Sequence, residues 1–178
     1  MPNLASAPSA KELIEIYNLL PHPEGGFYCE TYRSEGIIPA EVMYDARHAI
    51  KGNRNFCTAI LFLLLQGDKS SLHRIKQDEI WHYYLGAPIR LVMFLPSGEF
   101  REIVIGPDPR NGQHLQYAVP AGTWFGAKPN TQCGDADYSF VGCTVAPGFD
   151  FEDFELGKRD RLAQLFPQHK PIIEEFTL

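Results

Sequence analysis

Apolar residues recur along this chain with two different periods, and the change from one to the other falls near Pro21. Before it, Leu13, Ile16, Tyr17 and Leu20 follow the i, i+3, i+4, i+7 spacing of one helix face. Ser9 followed by Glu12 makes a capping box ahead of that stripe, and Pro21 ends it. The pattern therefore predicts an N-terminal helix. From Phe27 onward the runs are short and either alternate with period two or are wholly apolar, both marks of strands. Strands are predicted over 27–34, 57–66, 71–76, 79–85, 89–95, 100–105, 114–119, 123–127, 138–145 and 149–156. Pro96-Ser97-Gly98 turns one of these into the next as a hairpin, and 106–112 is a Pro/Gly/Asp/Asn loop. A short helix over 159–166 closes the pattern before Pro167. Many short strands with regular turn signals and no βαβ alternation predict an all-β sandwich or barrel.

The most informative stretch runs from Gly67 to Gly86. Two strand-like runs flank the polar turn Lys76-Gln77-Asp78. Paired as an antiparallel hairpin, they set Ile75 opposite Glu79 and His73 opposite Trp81. Side chains alternate faces along a strand. His73, Ile75, Glu79, Trp81 and Tyr83 then share one face, and Leu72, Arg74, Ile80 and His82 the other. An imidazole and a carboxylate converging among apolar neighbours suit a metal site or an acid/base pair. A buried carboxylate also needs a partner, a metal or a proton, and His73 is the candidate for Glu79.

This stretch resembles the first motif of the cupin superfamily, G-x5-H-x-H-x3-E-x6-G, at Gly67, His73, Glu79 and Gly86, with Ile75 in the second histidine position. Pro120-Ala121-Gly122 resembles the core of the second motif, G-x5-P-x-G-x2-H-x3-N, with Phe125 in its ligand position and Pro129 where the Asn would stand. The segments His22 to Tyr28, Lys76 to Tyr83, Val119 to Gly122 and Val145 to Phe149 are similar to the uncharacterised cupin-5 type, related to RmlC-like sugar-nucleotide epimerases. The resemblance implies one cupin jelly-roll domain over 1–178 with its core at about 13–176, an N-terminal helix and a short C-terminal helix. It also implies a small organic ligand inside the barrel. In an isomerase or epimerase of a sugar-like or carbonyl-containing metabolite, His73 would be the base and Glu79 its orienting partner or the acid. Tyr83 or Tyr138 would supply a second proton, and Ile75, Trp81 and Phe125 would contact the ligand.

Carried across position by position, the cupin metal site leaves His73 and Glu79 as ligands, because Ile75 and Phe125 cannot coordinate a divalent transition metal. His82 could be a third ligand only through a bulge that turns it inward. A metal-dependent dioxygenase, decarboxylase or lyase is thus one alternative, and a non-catalytic binding module is another. The H-P-E-G-G segment lacks the spacing and following helix of a phosphate loop, so a tight turn with His22 and Glu24 near the surface is expected. Phe149 to Glu155 reads as a strand with acids outside and Phe149 and Phe151 inside.

Composition narrows the function classes. A chain of 178 residues with 44% hydrophobic content suits a single core, and no apolar run approaches the length of a membrane span. A net charge of -6 argues against a general nucleic-acid binder. Cys29, Cys57, Cys133 and Cys143 form no C-x-x-C pair, and 1–10 does not read as a leader, so reduced thiols in a cytoplasmic protein are expected. Edge strands of an open sandwich need cover, and a homodimer is expected to provide it.

Overall fold

A computed structural model describes residues 7–43, 50–130 and 136–178, so Cys133 and most of the 1–10 segment lie outside it. Helix α1 (Ala10–Tyr17) is followed by β1 (Leu20–Pro21) and β2 (Phe27–Arg33). A small pair, β3 (Ile37–Ile38) and β4 (Arg54–Asn55), precedes β5 (Thr58–Leu65), β6 (Ser70–Arg74) and β7 (Asp78–Gly86). Next come β8 (Ile89–Phe94), β9 (Phe100–Ile105), β10 (Gln116–Val119), β11 (Trp124–Pro129) and β12 (Tyr138–Ala146). The chain finishes with β13 (Glu155–Leu156), α2 (Arg159–Leu165) and α3 (Lys170–Phe176).

The strands form two facing sheets, in the orders β1-β2-β5-β12-β7-β10 and β13-β6-β11-β8-β9. From β5 to β8 successive strands alternate between sheets, as do those from β9 to β12, which is jelly-roll connectivity. The predicted hairpin of β8 and β9 is present, with Phe94 opposite Phe100. The predicted hairpin of β6 and β7 is not. β6 pairs with β11 and β13 while β7 pairs with β12 and β10, so the Lys76-Gln77-Asp78 turn carries the chain from one sheet to the other.

Three apolar layers hold the sandwich. Between the sheets, Phe62 and Leu64 of β5, Trp81 of β7 and Val141 of β12 pack against Leu91 and Met93 of β8 and Phe125 of β11. Outside the second sheet, Leu72, Val92 and Phe94 meet Leu162, Ile173 and Phe176 of the C-terminal helices. Outside the first, Ala10 and Leu13 of α1 cover Leu63, Tyr138 and Phe140. Coverage on both faces explains why β5 and β8 read as continuous apolar runs rather than alternating ones.

Three expectations are corrected. The face of α1 that packs is Ala10 and Leu13, with Tyr17 stacked on Phe140 at 5.7 Å, whereas Ile16 and Leu20 are exposed. The capping box is present, but Asn18 in a left-handed conformation ends the helix before Pro21 acts. The segment 149–156 is not one strand. It is a 3-10 turn at Phe151–Asp153 and the two-residue β13, with Asp153 turned inward onto Arg54.

That pair organises the loop after β12. Arg54 donates two hydrogen bonds to Asp153, of 2.8 and 3.0 Å, and Gln77 donates a third at 2.6 Å. Both charged side chains are buried, so removing one strands the other. Asp153→Ala is expected to destabilise the fold by about 3 kcal/mol, the low end for such a loss, because Glu152 remains 3.6 Å from Arg54. Urea unfolding of the variant checks this, and a change below about 1 kcal/mol would show the pair to be dispensable.

Candidate functional site

One end of the sandwich is filled by the inter-sheet core, and the other encloses a cavity of about 380 Å³. Cross-strand register builds its wall in rows. Glu79, Val145, Thr58 and Arg33 lie side by side on β7, β12, β5 and β2. The next row places Cys143, Ile60 and Glu30 together, and Phe62 and Tyr28 lie in the one beyond. All of these side chains line the hollow. His73 and Ile75 face them from the opposite side, and the loop after β12 closes the mouth with Phe149, Phe151 and Phe154.

Of the residues predicted for the site, the structure brings His73, Ile75 and Glu79 to this cavity. Phe125 stands behind His73, their ring centres 4.1 Å apart, and Trp81 packs edge-on to Phe62 and Phe125. Both fill the barrel floor. Tyr83 belongs to the core and donates to the Gly86 carbonyl at 2.6 Å. Tyr138 lies under α1 on the outer face and donates to the Pro8 carbonyl at 2.7 Å. Neither phenol reaches the hollow; Tyr28 is the one that does.

Sequence reasoning missed Glu24 and His22, which were expected near the surface. Glu24 is 6% exposed, and the His22 side chain is 7% exposed. A tight turn does form there, as expected, with His22 N–H donating to Gly26 O and Gly25 N–H to His22 O. Gly25 and Gly26 both adopt positive φ and lie against the backbone of Lys69 and Leu63, leaving no space for a Cβ. That close approach drives Glu24 inward, where its backbone carbonyl accepts from Ser71 N–H at 2.8 Å. Two adjacent glycines after an acid were the available signal, because such pairs mark intimate backbone contact.

Glu24 and His73 form the centre of the site. His73 Nε2 lies 3.1 Å from Glu24 Oε2, and Glu24 Oε1 accepts from Ser70 Oγ at 2.8 Å. His73 Nδ1 is 2.8 Å from the Ser71 carbonyl, which can only accept, so Nδ1 carries the proton. Nε2 of the neutral ring then presents a lone pair to Glu24. His22 Nδ1 accepts from the Glu24 backbone N–H at 3.3 Å, which uses its lone pair, and it offers no proton to the same carboxyl oxygen 3.6 Å away. An ionised Glu24 would face the Nε2 lone pair of His73 with no donor from His22 Nδ1 to offset it. A single proton between Glu24 Oε2 and His73 Nε2 resolves the contact.

The electrostatics agree with that proton. Burial pushes the Glu24 carboxyl up to about 7, against the pull of His22 and the Ser70 hydroxyl. Burial also pushes Glu79 up to about 7; His73 opposes the rise, the Glu24 charge adds to it, and the Cys143 thiol and the Trp81 indole oppose it. Trp81 Nε1 nevertheless finds no acceptor with hydrogen-bond geometry. Burial lowers the pKa of His73 and of His22, and it raises that of the Cys143 thiol. Neutral imidazoles beside protonatable carboxyls can move protons near neutral pH.

The donor set does not match the metal site of the fold. Two of its positions hold Ile75 and Phe125, and the predicted third ligand, His82, bonds Thr144 Oγ1 at 3.1 Å and stacks on Tyr84 away from the cavity. Among the described residues no group of three His, Cys, Asp or Glu is arranged to hold an ion.

Residues 11–157 match the family model Cupin_5, described as cupin superfamily (DUF985). An uncharacterized protein of Saccharomyces cerevisiae is 29% identical over 167 residues, covering 91% of this chain and 82% of its own. A hypothetical protein from Leishmania major is similar in structure, with a TM-score of 0.84 and 35% identity over 96% of this chain and 99% of that one. A protein from Shewanella oneidensis gives 0.82 and 34%, over 97% and 99%. Oxalate decarboxylase from Bacillus subtilis shares the fold alone, at a TM-score of 0.50 and 11% identity over 88% of this chain and 36% of its own.

The raised carboxyls make stability depend on pH. Each binds its proton more tightly folded, at about 7, than at its ordinary value of 4.5. Their stabilisation is therefore full below about pH 4.5 and is lost as the pH rises through 7. The histidines act oppositely, and only as the pH falls below their ordinary 6.5. Between about pH 6.5 and 8 the urea midpoint should fall in the parent protein and stay level in the Glu24→Gln/Glu79→Gln variant. Parallel curves for the two proteins would contradict the shifted carboxyls.

Proposed function

Because the chain belongs to the cupin-5 (DUF985) family of the cupin superfamily, we propose that it binds a small organic ligand in the hollow end of its sandwich and moves a proton on it without a metal. The observation that carries this reading is the Glu24–His73 contact of 3.1 Å, facing Glu79 across one enclosed cavity. The reaction class is isomerisation or epimerisation next to a carbonyl. Glu79, ionised, takes the proton from the carbon beside the carbonyl, and the C–H electron pair moves toward the carbonyl oxygen as an enolate. The proton held between Glu24 and His73 is delivered to the carbon from the other side, collapsing the enolate. Atoms and charge balance, and the two acid/base groups exchange states for the reverse direction.

Carbon acids are checked by wash-in of deuterium from D2O, read by mass spectrometry across a panel of aldoses, ketoses, amine-bearing carbonyl compounds and 2-oxo acids. Wash-in at the carbon beside the carbonyl is expected, with Glu79→Gln or His73→Ala slowing it by about 10²–10⁴-fold. Saturable binding of panel members without wash-in would instead favour a non-catalytic binding module.

The same proposal includes a homodimer and a cytoplasmic location. Cys29, Cys57 and Cys143 are free thiols, and among the described residues no helix is long and apolar enough to cross a membrane. Ile80 and Tyr84 leave apolar surface on the outer face of the first sheet, 38% and 47% exposed. Light scattering at micromolar concentration should give twice the chain mass of 20.1 kDa, and a monomer there removes the dimer.

A further inference from the structure

The cavity carries an unbalanced set of charges. Glu24, Glu30, Glu79 and Asp150 all line it; Glu24 shares a proton with His73 and Glu30 is paired with Arg33, which leaves Glu79 and Asp150 as the uncompensated carboxyl groups. Arg33 is the permanently charged cation among the lining residues, and its guanidinium is already engaged. It makes bonds of 2.9 and 2.7 Å to the two carboxyl oxygens of Glu30, one of 2.9 Å to Asn55 Oδ1 and one of 3.2 Å to the Phe149 carbonyl. Burial lowers the pKa of the lining imidazoles, His22 and His73, and so disfavours their charged forms. An anionic ligand would thus meet carboxyl groups with no cation left to receive it.

Aromatic rings supply the rest of the wall. Phe149 and Phe151 meet edge to face at 5.0 Å, Phe151 lies 6.0 Å from the His22 ring, and Phe154 stacks on His73 at 5.4 Å. Tyr28 and Phe62 continue the aromatic surface on the sheet side. Ring faces and edges beside buried carboxyl groups form a chamber that favours a positive charge, through cation–π attraction and ion pairing together.

We infer that the ligand of this cavity carries a cationic nitrogen, a protonated amine on a small carbonyl-bearing skeleton. This rests on reading the cavity as the ligand site and adds the charge class of the ligand. Placed inside the aromatic wall, the ammonium donates to one oxygen of Glu79 and leaves the other to take the carbon-bound proton, and the bound cation balances a carboxylate that would otherwise stay buried alone.

Three probes of one shape separate charge from fit: benzylammonium, benzyl alcohol and benzoate, titrated into the full chain near pH 8 and followed by calorimetry and protein NMR. Benzylammonium should saturate the cavity at a concentration at least about tenfold below the other two. Glu79→Gln should abolish that preference while leaving the weaker affinity for benzyl alcohol in place. Phe151→Ala, at a half-exposed position where the fold is not at risk, should weaken benzylammonium by several-fold. Equal or tighter binding of benzoate or benzyl alcohol overturns the inference while leaving the cavity as a ligand site. A preference unchanged in both variants overturns it as well. Failure of all three probes to bind removes the ligand-site reading and this inference together.

Discussion

One shared proton organises the interior of this protein. Glu24 cannot remain an isolated carboxylate at its depth, and once the backbone partners are assigned, His73 Nε2 faces its Oε2 with a lone pair while His22 Nδ1 has no proton to offer. Neutralising the cluster with a proton between Glu24 and His73 avoids the desolvation that an isolated buried charge would cost. The consequence is functional as well as structural. In the proposed reaction the ligand receives this proton, and Glu79, which lines the same hollow, accepts another.

The scaffold keeps this arrangement by filling only half of itself. Trp81, Phe125 and their neighbours pack one end of the sandwich solid and give His73 a rigid backing, while the other end stays open between the rows led by Glu79 and Cys143. The Gly25-Gly26 turn presses Glu24 inward, and Ser70 and Ser71 of β6 fix the pair through one hydroxyl and one carbonyl. At the mouth, the buried Arg54–Asp153 pair ties the loop bearing Phe149, Phe151 and Phe154 to β4 and to Gln77. Each restraint comes from a different part of the chain, so the site depends on the complete jelly roll.

Most of the fold was legible because strand period and turn chemistry are local. The boundaries of 100–105 coincide with β9, and those of β5, β8 and β12 fall within a residue or so. Strand pairing was less legible. His73 and Glu79 were expected on one face of a hairpin, yet they meet from opposite sheets, because the Lys76-Gln77-Asp78 turn crosses the sandwich. Alternation predicts which side chains point inward but does not say which strand lies alongside. Helix α3 went unrecognised because Lys170-Pro171 reads as a continuation of the preceding breaker, whereas proline is tolerated in a first helical turn. Glu24 was invisible for a deeper reason. Its burial comes from the contact of a loop with the Lys69 and Leu63 backbone, and no periodicity reports that. Asp153 was likewise placed outside by alternation because its partner, Arg54, lies far away in sequence.

The protonation state at the centre of the account can be read directly from the nitrogen chemical shifts of His73 in uniformly labelled protein at about pH 6. A neutral ring is expected, protonated at Nδ1, with Nε2 as an unprotonated acceptor shifted by the hydrogen bond from Glu24; that pattern should persist as the acid limit of the Glu24 titration is approached. A doubly protonated ring beside an ionised Glu24, or a neutral ring protonated at Nε2, would contradict the shared proton and with it the acid/base reading of the cavity.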